Sequence, residues 1–276
     1  MIEVRVTKTN IGLALACVIG LAICVGIAFA QTTPKKKTTP PGMVFVTAGE
    51  FWMGCNEKID KQCGDNEKPY HKVYLDAFYI DKYEVTQAEY NECAASGKCQ
   101  PNKKFDGLSG ARQPVVGVSW EDAKTFCEWS KKRLPTEAEW EKAARGTDGR
   151  IYPWGNEFDG RKANFCDRNC PMSWADQAVD DGYAKTAPVG SYPDGASPYG
   201  ALDMAGNAWE WVSDWYQEDY YSQSPGKNPL GPEKGSYRVL RGGGWDFSRL
   251  SLRVSSRGDD LPTYVFNGTG FRCARD

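Results

Sequence analysis

The 276-residue chain has little histidine, no Cys-x-x-Cys pair and no excess of positive charge, and each absence narrows its function. His71 is the only histidine, so Ser-His-Asp triads and histidine-based iron centres have little support. Without a Cys-x-x-Cys pair, zinc is a weak alternative for the cysteines. With 34 basic and 36 acidic residues, the chain lacks the positive surface that nucleic acid requires, and we expect no nucleic-acid partner.

One long apolar run is present, from Ile11 to Ala30, and Arg5 and Lys8 precede it. This pattern is typical of an export signal, and the small residues at its end fit a signal-peptidase site. The run is also as long as a transmembrane helix. Residues 1–30 are therefore predicted to be either a cleaved signal peptide or a retained signal anchor, and an anchor could dock in a membrane complex through residues 11–30.

Two further segments follow. Residues 31–42 read QTTPKKKTTPPG, a polar Pro-, Lys- and Thr-rich linker with little capacity to bury surface. Residues 43–276 have an even composition with no second linker, which indicates one compact domain. We expect this domain to be extracytoplasmic, either periplasmic or secreted.

The domain contains eight cysteines, an even number that suits an oxidising compartment. We interpret them as four disulfides. Three close pairs would each close a short loop, namely Cys55 with Cys63, Cys93 with Cys99 and Cys166 with Cys170. By elimination, Cys127 would then join Cys273 across most of the domain.

Three segments carry the hydroxyl-to-carboxylate spacing of a capping box, beginning at Thr86, Ser119 and Thr136. They predict helices over roughly 86–95, 119–131 and 136–145. Most of the remaining sequence consists of turns and short alternating runs, such as 73–80 and 237–241. The predicted fold class is therefore α+β, rich in loops, with short antiparallel strands and about three helices.

Six ordered phrases spread over 43–276 resemble the formylglycine-generating enzyme, or sulfatase-modifying factor, family. They are MVFVTAGEFWMG (43–54), DKYEVT (81–86), KRLPTEAEWE (132–141), YPWG (152–155), YGALDMAGNAWEW (199–211) and GFRC (270–273). The resemblance implies the family's fold, a variant of the C-type lectin architecture. It also implies a bridge between a helix cysteine and the closing Gly-Phe-Arg-Cys phrase, in agreement with Cys127–Cys273.

The resemblance further implies calcium, a cation that suits carboxylate and carbonyl oxygens. The residues that match the family's two calcium sites are Asp203, Gly206, Ala208 and Glu210 for the first, and Asn164, Phe165, Asp181 and Tyr183 for the second. Some of these acids could instead simply cap turns. Calcium here would hold loops together and would not take part in chemistry.

The family's oxidation of a substrate cysteine to formylglycine depends on copper held by two cysteine thiolates. The corresponding stretch here, 245–252, reads WDFSRLSL and contains no cysteine, histidine or methionine. Because copper(I) requires soft ligands, we expect no copper at this place and a domain that lacks the family's oxidase reaction.

The same closing segment, 241–276, mixes aromatic and charged residues in a way that suits recognition. The predicted ligand-binding residues are Trp245, Asp246, Phe247, Arg249, Asp259, Tyr264 and Phe266. The leading hypothesis is a calcium-stabilised binding or assembly module for a protein, peptide or glycan. Two alternatives stay open, a formylglycine-generating oxidoreductase with a non-standard site and a membrane-anchored accessory subunit of an envelope complex.

Overall fold

A computed structural model describes Met1 and residues 39–276 of the chain. The helices are α1 (Gln87–Ala95), α2 (Trp120–Trp129) and α3 (Glu137–Arg145). The strands are β1 (Met43–Val46), β2 (Gly49–Met53), β3 (His71–Leu75), β4 (Phe78–Asp81), β5 (Trp209–Trp215), β6 (Arg238–Arg241), β7 (Arg257–Asp260), β8 (Thr269–Phe271) and β9 (Ala274–Arg275). The predicted α+β class is confirmed.

All three helices begin where their capping residues predict. Thr86, Ser119 and Thr136 are the N-caps of α1, α2 and α3, and each forms a complete capping box. Along α2, Ala123 and Cys127 are fully buried, which places this face of the helix in the core.

The strands form three small sheets. Their orders are β1-β4-β9, β2-β3 and β7-β6-β5-β8, and the β5–β8 pair is the one parallel pairing between these strands. The sequence run 73–80 is divided between β3 and β4, which belong to different sheets. The alternation of apolar and polar residues in this run therefore predicted strand structure correctly. It did not reveal that the strand is interrupted at Asp76 and Ala77.

The four predicted disulfides are present in the structure. In three of them the two cysteines are only 8, 6 and 4 residues apart in the sequence, so each closes a short loop. The fourth, Cys127–Cys273, joins α2 to the end of the chain across 146 residues. Four disulfides are compatible with an extracytoplasmic location.

The membrane prediction concerns a different part of the chain. No helix within the described residues is both long and apolar enough to cross a membrane. The predicted signal or anchor, apart from Met1, and most of the predicted linker lie outside the described residues.

Helix α3 is buried along its whole length although it carries several charges. Burying a charge is costly unless the charge is paired or hydrogen-bonded, and the charged side chains of α3 do have such partners. Glu141 pairs with Arg241, Glu137 pairs with Arg257, and the Lys142 ammonium donates to the carbonyls of Thr47 and Gly49, each at 2.8 Å. The core around α3 is thus partly ionic.

Candidate functional site

Three arginines fix the closing segment to the body of the domain. Besides the pairs that Arg241 and Arg257 make with α3, the Arg253 guanidinium binds both oxygens of Glu67, each at 2.7 Å. All three arginines are buried. Because a two-pronged guanidinium–carboxylate contact fixes direction as well as distance, the segment between Arg241 and Arg253 is held at both ends.

Between these fixed points, residues 248–250 form one wall of a groove of about 590 Å³. The other walls come from the loops around 62, 152–158 and 166–176. The full lining comprises Gln62, Tyr152, Phe158, Cys166, Trp174, Asp176, Ser248, Arg249 and Leu250. The groove mixes aromatic, apolar and charged groups, the composition of many recognition sites.

Two large apolar side chains on the groove are exposed to solvent. The exposed fractions are 57% for Trp174 and 49% for Leu250, and nearby Phe247 is 40% exposed. The Trp174 indole donates to the carbonyl of Asp246 at 3.1 Å, and the carbonyl of Phe247 accepts from the amide of Cys166 at 2.9 Å. These contacts tie the loop around 166–176 to the closing segment, so both groove walls are positioned together.

Of the seven predicted ligand-binding residues, only one lines the groove. Arg249 lines the groove, where its guanidinium lies 5.6 Å from the ring centre of Phe158. Asp259, Tyr264 and Phe266 lie on the later part of the closing segment and do not line this groove; Tyr264 and Phe266 stack on one another.

Trp245 and Asp246 are buried, with only 3% and 4% of their surface exposed. Trp245 packs with Leu108, Val116 and Ala208, and it therefore supports the segment from inside. A ligand role for these two residues stays a prediction. Burial raises the pKa of Asp246 to about 6, and its Oδ1 has no hydrogen-bond partner. Position along the segment did not reveal which side chains turn inward.

The opposite wall of the groove is formed by aromatic residues that no sequence pattern marks as ligand-binding. Tyr152 belongs to one of the family phrases, and Phe158 and Trp174 belong to none. Tyr152 and Phe158 contact one another, with ring centres 5.7 Å apart. No local pattern marks Trp174, since its exposure depends on the fold of the surrounding loops.

The residues of the second predicted calcium site lie together. The Asp181 carboxylate accepts from the amides of Phe165 and Tyr183, both at 2.9 Å. Burial raises the pKa of Asp181 to about 7. The Asn164 amide nitrogen donates to Lys185 and Asn207, which leaves its buried Oδ1 without a partner. An unpartnered buried amide oxygen and a buried carboxylate within this group of residues fit calcium, which binds oxygen ligands.

The first predicted calcium site is arranged differently. Both oxygens of Glu210 accept from the Arg272 guanidinium, at 2.6 and 2.7 Å, and Trp140 donates to the same carboxylate. Asp203 accepts from the Gly190 amide. Because Arg272 already neutralises Glu210, this donor set does not fit calcium as well as the second site. Calcium at Asp203, Gly206, Ala208 and Glu210 stays a prediction.

The two calcium segments are nevertheless in contact. The Asn164 carbonyl accepts from the Asn207 amide at 2.8 Å, and a Cβ added to Gly206 would lie 2.1 Å from that carbonyl oxygen. A glycine is therefore required at 206, where φ is +82°.

The described residues contain no free thiol. Each of the eight cysteines from Cys55 to Cys273 belongs to a disulfide, including Cys166 on the groove wall. The stretch 245–252 contributes no soft ligand atom to the groove.

The chain belongs to the family of the sulfatase-modifying factor enzyme 1-like domain, whose family model matches residues 28–276. It is similar to the bovine (Bos taurus) formylglycine-generating enzyme, with 33% identity over 89% of this chain and 78% of that enzyme. It is also similar to the serine/threonine-protein kinase pkn1 of Chlamydia caviae, with 37% identity over 84% of this chain and 38% of the kinase. The chain thus spans little more than a third of that relative.

A solved structure has a similar fold. The PvdO protein of Pseudomonas aeruginosa matches with a TM-score of 0.72 and 29% identity, over 85% of this chain and 94% of that chain. The family and the fold implied by the six sequence phrases are confirmed.

Proposed function

We propose that this protein is an exported, calcium-stabilised binding module of the sulfatase-modifying factor family that does not generate formylglycine. One observation carries the proposal: the stretch 245–252, which by resemblance corresponds to the family's copper-binding stretch, contributes exposed Arg249 and Leu250 to a groove that also has exposed Trp174 and no thiol. Aromatic, arginine and exposed apolar side chains grouped in this way favour recognition of a protein, peptide or glycan.

The reaction is tested directly with a peptide that contains Cys-x-Pro-x-Arg. The full chain is incubated aerobically with the peptide, calcium and copper(I), beside the bovine formylglycine-generating enzyme as positive control. Mass spectrometry should show aldehyde formation by the control alone, because the groove offers copper no thiolate ligand. Conversion by this chain would refute the proposal and favour the alternative of an oxidoreductase with a non-standard site.

The recognition half of the proposal predicts that Trp174→Ala weakens binding. Ligands would be selected on a glycan array and from a phage-displayed peptide library, and affinities measured by calorimetry. Loss of an aromatic anchor that a ligand covers costs about 2 kcal/mol or more, which corresponds to roughly a 30-fold increase in Kd. Trp129→Ala is the matched control, since Trp129 is an exposed tryptophan on α2 outside the groove. Equal affinities of the wild type and both variants would place recognition elsewhere.

Calcium is expected at the second site, held by the side chains of Asn164 and Asp181 with the carbonyls of Phe165 and Tyr183. It would stabilise the loops that lead to the groove. Adding Ca²⁺ to chelator-treated protein should raise Tm, because an ion that binds only the folded state stabilises it by mass action. Asp181→Asn removes the charge that favours the cation and should abolish the shift.

The matched control for this experiment is Asp194→Asn, an exposed aspartate at the first turn of a short 3₁₀ helix. It should retain the calcium-dependent rise in Tm. If Asp181→Asn also retained the calcium-dependent rise in Tm, the ion would bind elsewhere. The first predicted calcium site, within 203–210, would then be tested with Asp203→Asn.

A further inference from the structure

Arg249 is a cation on the groove that has no carboxylate partner in the described part of the chain. It is exposed, and its guanidinium lies 5.6 Å from the ring centre of Phe158. Four residues further along, the Arg253 guanidinium is already paired with Asp60 and Glu67. Of these two arginines, only Arg249 lines the groove and is free to pair with a ligand.

The main chain that carries Arg249 is held in place. It forms a short 3₁₀ helix, Arg249–Leu252, and the hydroxyl and the amide of Ser251 both donate to the carbonyl of Ser248, at 2.8 and 3.0 Å. Leu252 at the end of this helix is fully buried. Because the main chain is fixed before a ligand arrives, less entropy is lost when Arg249 binds one.

The contact with Phe158 leaves the N–H groups of Arg249 available, since a cation–π contact uses the charge of the guanidinium and not its hydrogen-bond donors. A carboxylate fits these donors well because it can accept two parallel hydrogen bonds. On the basis of the proposed binding function, we infer that the groove selects a peptide segment in which one acidic side chain lies next to a large apolar one. Arg249 binds the acidic side chain, and the apolar side chain packs against Trp174 and Leu250.

The groove favours a peptide over a glycan because it offers few polar partners. Trp174 and Leu250 expose large apolar surfaces, and the indole N–H of Trp174 already donates to the carbonyl of Asp246. Apart from Arg249, the lining residues with polar side-chain groups are Gln62, Tyr152, Asp176 and Ser248. Many hydroxyl groups of a sugar would stay unpaired here, which is costly, whereas apolar peptide side chains gain from burial.

Asp176 limits the number of acidic side chains that the groove accepts. Its carboxylate belongs to the same lining and accepts from the amide of Ala178 at 3.1 Å. A second acidic residue in the ligand would be repelled by this charge. The groove should therefore prefer a single acidic residue beside an apolar one to a run of acidic residues.

Selection from a random heptapeptide phage library on the full chain tests this preference. Peptides selected on the wild type should be enriched in a single aspartate or glutamate next to leucine, phenylalanine or tryptophan. Selection on Arg249→Gln should lose the acidic enrichment and keep the apolar one. The matched control is Arg275→Gln, which changes an exposed arginine outside the groove and should give the wild-type pattern. No acidic enrichment on the wild type, or the same enrichment on Arg249→Gln, would overturn the inference.

Calorimetry on one selected peptide gives a quantitative test. The peptide is compared with an analogue in which glutamine replaces its acidic residue. The analogue should bind the wild type about 10-fold more weakly, because a hydrogen bond between charged groups is stronger than one with a neutral partner. On Arg249→Gln the two peptides should bind within about twofold of one another, since the pair of charges is already lost.

The Trp174→Ala variant separates this preference from the proposed function on which it rests. It should weaken both peptides to a similar extent, because it removes apolar contact and no charge. If it did so while the wild type bound both peptides equally well, the groove would be a binding site and only the preference for a carboxylate would be refuted. If the selected peptides bound Trp174→Ala as tightly as the wild type, the proposed site itself would be wrong.

A glycan ligand is the remaining outcome. An oligogalacturonate, which carries carboxylates on sugar rings, is titrated into the same protein. Tighter binding of this oligosaccharide than of every selected peptide, lost in Trp174→Ala, would overturn the preference for a peptide and identify the groove as a glycan site.

Discussion

Arg272→Met is expected to lower the free energy of unfolding by about 3–5 kcal/mol, the cost of removing one partner of a buried ion pair. Arg272 is fully buried and binds both oxygens of Glu210. Burial, followed by the charges of Asp203 and Glu210, raises the pKa of Glu84 well above its usual range. The charge of Arg272 opposes this rise in pKa for Glu84 and for Asp203, so one guanidinium acts on three buried carboxyl groups. Thermal unfolding should show a fall in Tm on the order of 10 °C.

The loss of stability in Arg272→Met should depend on pH. Burial also raises the pKa of Asp203, to about 6, so the folded state binds more protons than the unfolded state as the pH falls through this range. Without the positive charge of Arg272, the pKa of Asp203 in the folded state should rise further. Protonation of Asp203 then stabilises the folded variant more than the folded wild type, so the loss of stability should be smaller at about pH 5 than at about pH 8. Arg275→Met, which changes an exposed arginine three residues away, should have little effect at either pH.

A double variant separates lost packing from unpaired charge. If the charge left on Glu210 causes the loss, Glu210→Gln should restore part of the stability of Arg272→Met. A double variant no more stable than Arg272→Met, or a single variant within about 1 kcal/mol of the wild type, would contradict this account of the cluster.

Removal of the Cys127–Cys273 disulfide by a double alanine substitution should cost about 5 kcal/mol in the chain-entropy model. The reason is the 146-residue separation of the two cysteines, since the bond limits the unfolded chain most when it closes a long loop. Urea unfolding of the oxidised variant would measure the loss.

The matched control is the double alanine variant of Cys93 and Cys99, which are also buried but only six residues apart. The same model gives a cost of about 2 kcal/mol for this short loop. Equal losses in the two variants would show that local packing around the sulfurs, and not the length of the closed loop, determines the contribution of these bonds.

Local sequence signals determined several elements of this fold. The capping boxes at Thr86, Ser119 and Thr136 fixed the beginnings of the three helices, because the hydroxyl and carboxylate that satisfy the first amide groups lie three residues apart in the chain. The disulfide pairing followed from the even cysteine count and the close spacing of three pairs. Six phrases in order were enough to indicate the family and its fold.

The two groups of candidate calcium residues look alike in the sequence. The sequence grouped Asp203 with Glu210 and Asn164 with Asp181 by resemblance, and the structure distinguishes the two groups. Arg272, distant in sequence, neutralises Glu210, whereas Asn164 keeps an unpartnered buried oxygen. Side-chain partners that are far apart in the chain are set by packing and cannot be determined from local spacing.

The family, the helix starts, three of the four disulfides and the absence of a thiolate pair from 245–252 depend on residue identity and short spacing, and they could be predicted from the residues alone. The inward direction of Trp245 and Asp246 and the exposure of Trp174 on the groove could not. These features depend on which loops pack together. That packing is fixed by buried pairs such as Arg253–Glu67, whose members are 186 residues apart.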